Sequence, residues 1–370
     1  ETIMVGDPAA DVDFKESLNN IIAKATFVSE DGGTWHDGSP LDPARRKVEG
    51  TAVGVPPLET GFETPRNCER CFFKFRKDKV WPPERFTDPG TPGEIYKPLY
   101  EELMTAMAWR HGPNRILAPS GHHFLLPAFF HTLSELERRG RDFSVVLRTF
   151  GTDLPEVGHC LAEFAQGAHP DYPTRHRCTL APEDAQWVLR REDRTNPQSP
   201  LLLRQYKSHL GKEGLGSNLK KREDLEHTAE ISSEGKIVDL LASVPALGVR
   251  DDYFHWRGNG YRPEAGKPLW ITLGDLEDQG VHHIFFDDNI HNDAHDSIVG
   301  VRARRTAADS FRSLPGDITR LLEGILLVKA QPVEAIRNCN YFLEQIDRCE
   351  RNLEQTLEDG SLQELLSRAL

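Results

Sequence analysis

Apolar positions recur with helical and strand periods in alternation from residue 98 onward. PLYEELMTAMAW (98–109) predicts a helix. FLLPAFFHTLSELERRG spaces Leu126, Phe129, Phe130, Leu133 and Leu136 three or four apart, a helical stripe that Gly140 would stop. FSVVL (143–147) is an apolar, β-branched run suited to a buried parallel strand. TFGTDLPEV turns into another helix, with Val157, Cys160, Leu161 and Phe164 on one face, Gly167 beyond its end, and Asp153 or Thr152 as its cap. Ile116 and Leu117 suggest a short strand between the first two helices.

KIVDLLASV predicts a further helix, residues 283–286 and Ile325–Val328 two strands, and Pro332 opens a long amphipathic helix through Leu353. Helices alternating with buried strands argue for an α/β fold built on a doubly wound parallel sheet. In such sheets ligands gather beyond the carboxyl ends of the strands. Thr149 and the pair Asp287 and Asp288 fall at such ends. Two stretches interrupt the alternation. Residues 31–97 are rich in Gly, Pro and charge and read as a loop-rich insertion, and residues 168–230 read as a second, irregular excursion.

Composition narrows the function classes. Hydrophobic residues make up 38% and charged residues 28%, as in ordinary globular proteins. The net charge of −13 argues against a broad grip on nucleic acid or anionic lipid, while leaving room for a locally basic site. No apolar run reaches the roughly 20 residues needed to span a bilayer. The start, ETIMVGDPAADVDF, lacks the pattern of a secretory signal, and six cysteines do not make a disulfide scaffold. A cytoplasmic protein with no nucleic-acid or membrane partner is the expectation; oligomeric state is not legible. Cys68 and Cys71 form one CxxC without a second to complete a zinc site, and read as a turn with two free thiols.

VHHIFFDDNIHNDAHDS (281–297) is the densest run of metal-friendly side chains. Asp287 and Asp288 end an apolar strand and are either solvated loop carboxylates or a cation site. Adjacent carboxylates repel unless a cation is near, which favours the site. Magnesium takes one or two carboxylates, waters and substrate phosphate. A rival reading joins Asp287 with His291 and His295 as a transition-metal hydrolase centre, although no HExxH-type signature is present. His122, His123, His282 and His283 read as structural or solvent-facing. GKEGLGSNLKK (211–221) reads as a basic loop, since it lacks the GK(S/T) ending of a nucleotide loop. Thr149, beside free backbone N–H groups at a strand end, suits a phosphate oxygen, and Lys267 in GKP precedes an element leading back to the sheet.

The order Thr149, Lys267, then a hydrophobic strand ending in Asp287, Asp288 and, further on, Asp293 resembles the haloacid-dehalogenase-like superfamily of phosphoryl-transfer enzymes. ETIM (1–4) is similar to the tail of that family's first motif, with Thr2 in its threonine place, so the resemblance implies that the two aspartates of the motif lie just before Glu1. It further implies a Rossmann-like core over 1–4 and 110–330 with an excursion at about 168–266, a cap-type insertion over 5–109, and a C-terminal helical segment over 331–370. The implied activity is a magnesium-dependent phosphatase acting on a small phosphorylated substrate. In it Thr149 binds a phosphoryl oxygen, Lys267 offsets negative charge, and Asp287, Asp288 and Asp293 serve Mg2+. A protein of this fold lacking the nucleophile, and so only binding a ligand or partner, is the alternative.

Overall fold

The computed structural model describes residues 2–6, 14–28, 34–36, 85–90, 94–151, 153–178, 185–193, 195–196, 199–207, 227–260, 262–277, 281–290 and 298–370. Phe14, Leu18, Ile21 and Ile22 form the buried stripe of α1 (Phe14–Ala25), which runs into β1 (Thr26–Val28), paired antiparallel with β2 (Thr34–His36). Helices α2 (Lys97–Ala106) and α3 (Pro127–Arg138) carry proline in their first turns, where a missing N–H leaves no bond unmade. Gly140 takes φ +67° just past α3, a conformation open to glycine and costly for other residues. Ile116 and Leu117 do not form a strand. The Asn114 side chain accepts their backbone N–H groups at 2.8 and 2.7 Å and folds them into a turn.

β3 (Val145–Thr149) and α4 (Leu154–Ala165) follow, and α4 buries Val157, Cys160, Leu161 and Phe164 as its spacing requires. The stretch expected to be irregular instead carries β4 (Ala185–Arg191), β5 (Leu201–Lys207) and β6 (His227–Ile231), an antiparallel run. Trp187, Leu189, Leu201 and Leu203 alternate inward there among charged neighbours. They meet one another across β4 and β5 and share a cluster with Leu247, Val249, Trp270 and Phe311 from elsewhere in the chain, so the intervening polar residues hid the strands.

Next come α5 (Glu234–Ser243), β7 (Ala246–Arg250), α6 (Tyr253–Gly258), β8 (Lys267–Thr272), α7 (Leu273–Glu277) and β9 (Phe285–Asp287). β10 (Val299–Arg304), β11 (Arg312–Ser313), α8 (Gly316–Leu321) and β12 (Leu327–Lys329) lead to the C-terminal helices. Those are α9 (Pro332–Arg337), α10 (Tyr341–Glu358) and α11 (Ser361–Ala369). The single helix expected from Pro332 to Leu353 is broken in two. Asn338 accepts the Asn340 N–H on its side chain at 2.9 Å and the Tyr341 N–H on its carbonyl at 3.1 Å, a turn that competes with helix.

The chain is an α/β protein with mixed sheets. The largest has the order β3-β7-β4-β5-β6, parallel from β3 to β4 and antiparallel beyond. A second, β11-β10-β8, pairs β8 and β10 in parallel, and β12 and β9 form a parallel pair of their own. Among the described strands the parallel pairing is thus spread over three sheets rather than one. No described helix is long and apolar enough to cross a membrane.

Helices α1 and α2, from the stretch expected to be an insertion, pack in one cluster with α3, α4 and α9. A second cluster joins β8 and β10 to α10 and α11, and a third lies between β4, β5, β7 and α5. Buried ion pairs tie the sheets together. The Arg148 guanidinium, under Trp270, grips the buried Asp251 carboxylate and donates to the Pro268 carbonyl at 3.0 Å. Glu234 at the start of α5 accepts both from Arg302 on β10 and from the Trp270 indole N–H.

His123 and His169 are buried beside Trp109, and Phe130 lies against His169, while His122 stacks on Phe14. Burial lowers both His123 and His169 to about 4, against a partial pull from Asp171 in the other direction. The unfolded chain titrates them at about 6.5. Between those values the unfolded state takes up protons that the folded state does not. Their contribution to stability is therefore present above pH about 6.5 and lost as pH falls towards 4. Urea midpoints are expected to fall from pH 7 to pH 4.5, less steeply for His169→Phe; equal pH slopes for the two proteins would contradict this assignment.

Candidate functional site

Four segments distant in sequence meet at the carboxyl ends of β3 and β9. The first is the end of β3. Beside β7, the Thr149 carbonyl accepts the Asp251 N–H at 2.7 Å. Beyond Thr149 the chain turns sharply into α4. The Thr149 hydroxyl accepts the Gly151 N–H at 2.8 Å and donates to the Asp153 carboxylate at 2.9 Å. A Cβ at position 151 would lie 2.4 Å from the Asp153 Oδ1, so a side chain there would displace the Asp153 carboxylate from Thr149. Asp153 occupies the cap position of α4 but makes no side-chain cap bond there.

The second segment is Lys267, the first residue of β8, whose backbone N–H is held by the Ile298 carbonyl at 2.6 Å. Two glycines permit this placement. A Cβ at Gly266 would strike the Ile298 carbonyl oxygen at 2.3 Å, and one at Gly300 would strike the Pro263 oxygen at 2.2 Å. The turn at Pro263–Ala265 therefore presses directly on β10 and delivers Lys267 inward. Its ammonium lies 2.7 Å from Asp287 Oδ2, 3.4 Å from the Arg148 carbonyl and 5.2 Å from the centre of the Phe150 ring. Lys267 thus reaches the residues on both sides of Thr149, while the Thr149 hydroxyl itself is engaged by Gly151 and Asp153.

The third segment is the end of β9. Asp287 is buried, and both carboxylate oxygens are used: Oδ2 by Lys267 and Oδ1 by the Asn289 N–H at 2.8 Å. Its carbonyl accepts the Ala330 N–H, so β12 fixes the strand end from the far side. The fourth segment is Thr2. Its hydroxyl donates to Asp288 Oδ1 at 2.7 Å and accepts the Asp288 N–H at 3.1 Å. The N-terminal strand fragment is held by Val5 N–H to the Phe124 carbonyl and by Leu126 N–H to the Ile3 carbonyl. Asp287 and Asp288 therefore do different things: one neutralises a lysine, the other anchors the chain at residue 2.

Of the sequence-derived residues, Thr149, Lys267, Asp287 and Asp288 fall in this one region, with Thr2 beside them. Asp293, His291 and His295 lie outside the described residues, as do Cys68, Cys71 and the 211–221 loop. Among the described residues no group of three or more His, Cys, Asp or Glu is arranged to hold a metal. His282 donates to or accepts from no site group; its Nε2 lies 2.8 Å from the Ile325 carbonyl. Sequence reasoning did not single out Phe150 or Asn289, and read Asp153 only as a helix cap. The four-residue spacing from Thr149 to Asp153 across a glycine was the available signal for the last. No family model, curated protein or solved structure matches the chain.

Removing one member of a buried ion pair strands the other charge. Lys267→Met is expected to lower unfolding free energy by about 3–5 kcal/mol in urea titrations, and Lys267→Met with Asp287→Leu to recover more than half of that loss. A single variant as stable as the parent would mean that water already solvates the pair.

Proposed function

We propose that this region binds the phosphoryl group of a small phosphorylated substrate, in a magnesium-dependent phosphatase of the haloacid-dehalogenase-like kind. The observation that carries the reading is the position of the Lys267 ammonium between Asp287 and the strand end that bears Thr149. Elements ordered in the sequence as in that superfamily meet at one rim, and Thr2, the residue similar to the end of its first motif, bonds to Asp288.

The roles follow from the chemistry of each group. Thr149 presents a hydroxyl at a strand end to a phosphoryl oxygen. Lys267 supplies fixed positive charge in a water-poor setting, where such stabilisation is strongest. Asp287 keeps that ammonium aimed. Hard carboxylate oxygens at a strand end fit magnesium, and Asp288 is the better ligand because Asp287 is tied into an ion pair with Lys267, whereas the Asp288 contacts to the Thr2 hydroxyl at 2.7 Å and the Asn289 amide at 3.4 Å are to neutral groups. Bound magnesium would neutralise phosphoryl charge. The resemblance puts the attacking carboxylate just ahead of Glu1. With Thr2 in the threonine place, that carboxylate stands four residues ahead of Thr2, and because Thr2 already touches Asp288, four residues of chain at about 3.6 Å each can bring such a group to the site. Attack of that carboxylate on phosphorus would form an acyl phosphate and expel the alcohol, and water would then release phosphate.

The full natural chain, including the residues ahead of Glu1, is the protein to assay. Given a panel of small phosphomonoesters with magnesium, it is expected to release inorganic phosphate, and Asp288→Asn to reduce the rate by at least about 100-fold. Full activity in that variant would remove Asp288 from the metal site. Non-acidic residues ahead of Glu1 together with tight, non-hydrolytic phosphate binding would favour the binding-protein alternative.

A further inference from the structure

We infer that Asp153 is a positioning residue that restrains the Thr149 hydroxyl and so weakens the grip of the site on phosphate, an inference that rests on the phosphoryl-binding reading above. The Asp153 side chain is placed against the usual economy of its position. An aspartate at a helix start ordinarily accepts an N–H of the first turn, a contact worth about 0.5–2 kcal/mol. Asp153 makes no such bond. It is turned back over Gly151 to accept from Thr149 at 2.9 Å, and the space it fills is the space a side chain at position 151 would need.

This geometry uses up the hydroxyl. A threonine hydroxyl has one proton to donate, and here that proton goes to a carboxylate, the stronger kind of acceptor. Its oxygen already accepts the Gly151 N–H. A phosphoryl oxygen arriving at Thr149 must therefore take the proton from Asp153 and meet a buried negative charge one bond further away. Both effects oppose retention of a phosphate dianion. Asp153 is 9% exposed and forms no ion pair among the described residues. In a phosphatase the product is the anion most tightly held by the same groups. A carboxylate that competes for Thr149 favours its departure.

Asp153→Asn preserves shape and can still accept from Thr149, but replaces a charged acceptor by a neutral one. In isothermal titrations of the full natural chain with inorganic phosphate, this variant is expected to bind about tenfold more tightly than the parent, the difference between a charged and a neutral hydrogen bond. Thr149→Val is expected to bind more weakly, and adding Asp153→Asn to Thr149→Val should bring a clearly smaller gain than in the parent, the part owed to the charge alone. Thermal unfolding of each variant checks that the fold is kept. A helix cap or a packing group would lower the unfolding temperature without tightening phosphate. Unchanged or weaker binding by a folded Asp153→Asn overturns the inference while leaving the phosphoryl site standing. A full gain in the Thr149→Val background also overturns it, because the charge would then act without Thr149. No phosphate binding by the parent or any variant removes the phosphoryl reading and this inference together.

Discussion

The buried contact between Lys267 and Asp287 is the constraint on which the arrangement of this site depends. Neither charge has bulk water to fall back on, and an unpaired ion in such a place costs several kcal/mol. Each is therefore held to the other, and through them β8 is held to β9. Because the same ammonium reaches the Arg148 carbonyl and the Phe150 ring, the end of β3 is drawn in as well. Three strands that belong to three separate ladders thereby share one rim. Pairs of this kind often add little net stability compared with apolar replacements, so geometric specificity is the more economical account of this one.

Close backbone approach makes that contact possible. Gly266 and Gly300 let the turn at Pro263–Ala265 lie directly on β10, and this sets the direction in which Lys267 leaves the backbone. Gly151 plays the same part at the end of β3, where the turn is tight enough to bring the Asp153 carboxylate over the α-carbon. At Gly266 and Gly300 a side chain would collide with a backbone oxygen, and at Gly151 with the Asp153 carboxylate. The polar groups of the site are thus positioned by what is absent beside them as much as by what they bond to.

A second feature is the division of labour between neighbouring carboxylates. Asp287 is saturated by an ammonium and a backbone N–H, while Asp288 holds the chain near its second residue. Two adjacent aspartates at a strand end look equivalent on paper. The bonds made by Lys267 and Thr2 separate them into a charge balancer and an anchor for the chain at residue 2. The Arg148 and Asp251 pair adjoins Thr149, so the end of β3 is held beside a buried, compensated charge pair.

Much of the secondary structure was legible because it is dictated locally. The three- and four-residue spacing of Val157, Cys160, Leu161 and Phe164 admits one buried helical face, and the run before Thr149 suits a strand. The order of Thr149, Lys267 and Asp287 along the chain also pointed to a shared site. Local sequence misled where the stabilising partner is remote or a side chain rewrites the backbone. Trp187 and Leu203 bury against elements far along the chain, Asn114 makes a turn of two apolar residues, and Asn338 divides a continuous amphipathic stripe. By itself the sequence determined which residues could be charged, apolar or turn-forming, and in what periods. Only the tertiary structure decided that Asp287 answers to Lys267, Asp288 to Thr2 and Thr149 to Asp153. Those choices depend on which chain segments are brought within about 3 Å of one another, and hydrogen bonds and buried charges are decided at that distance.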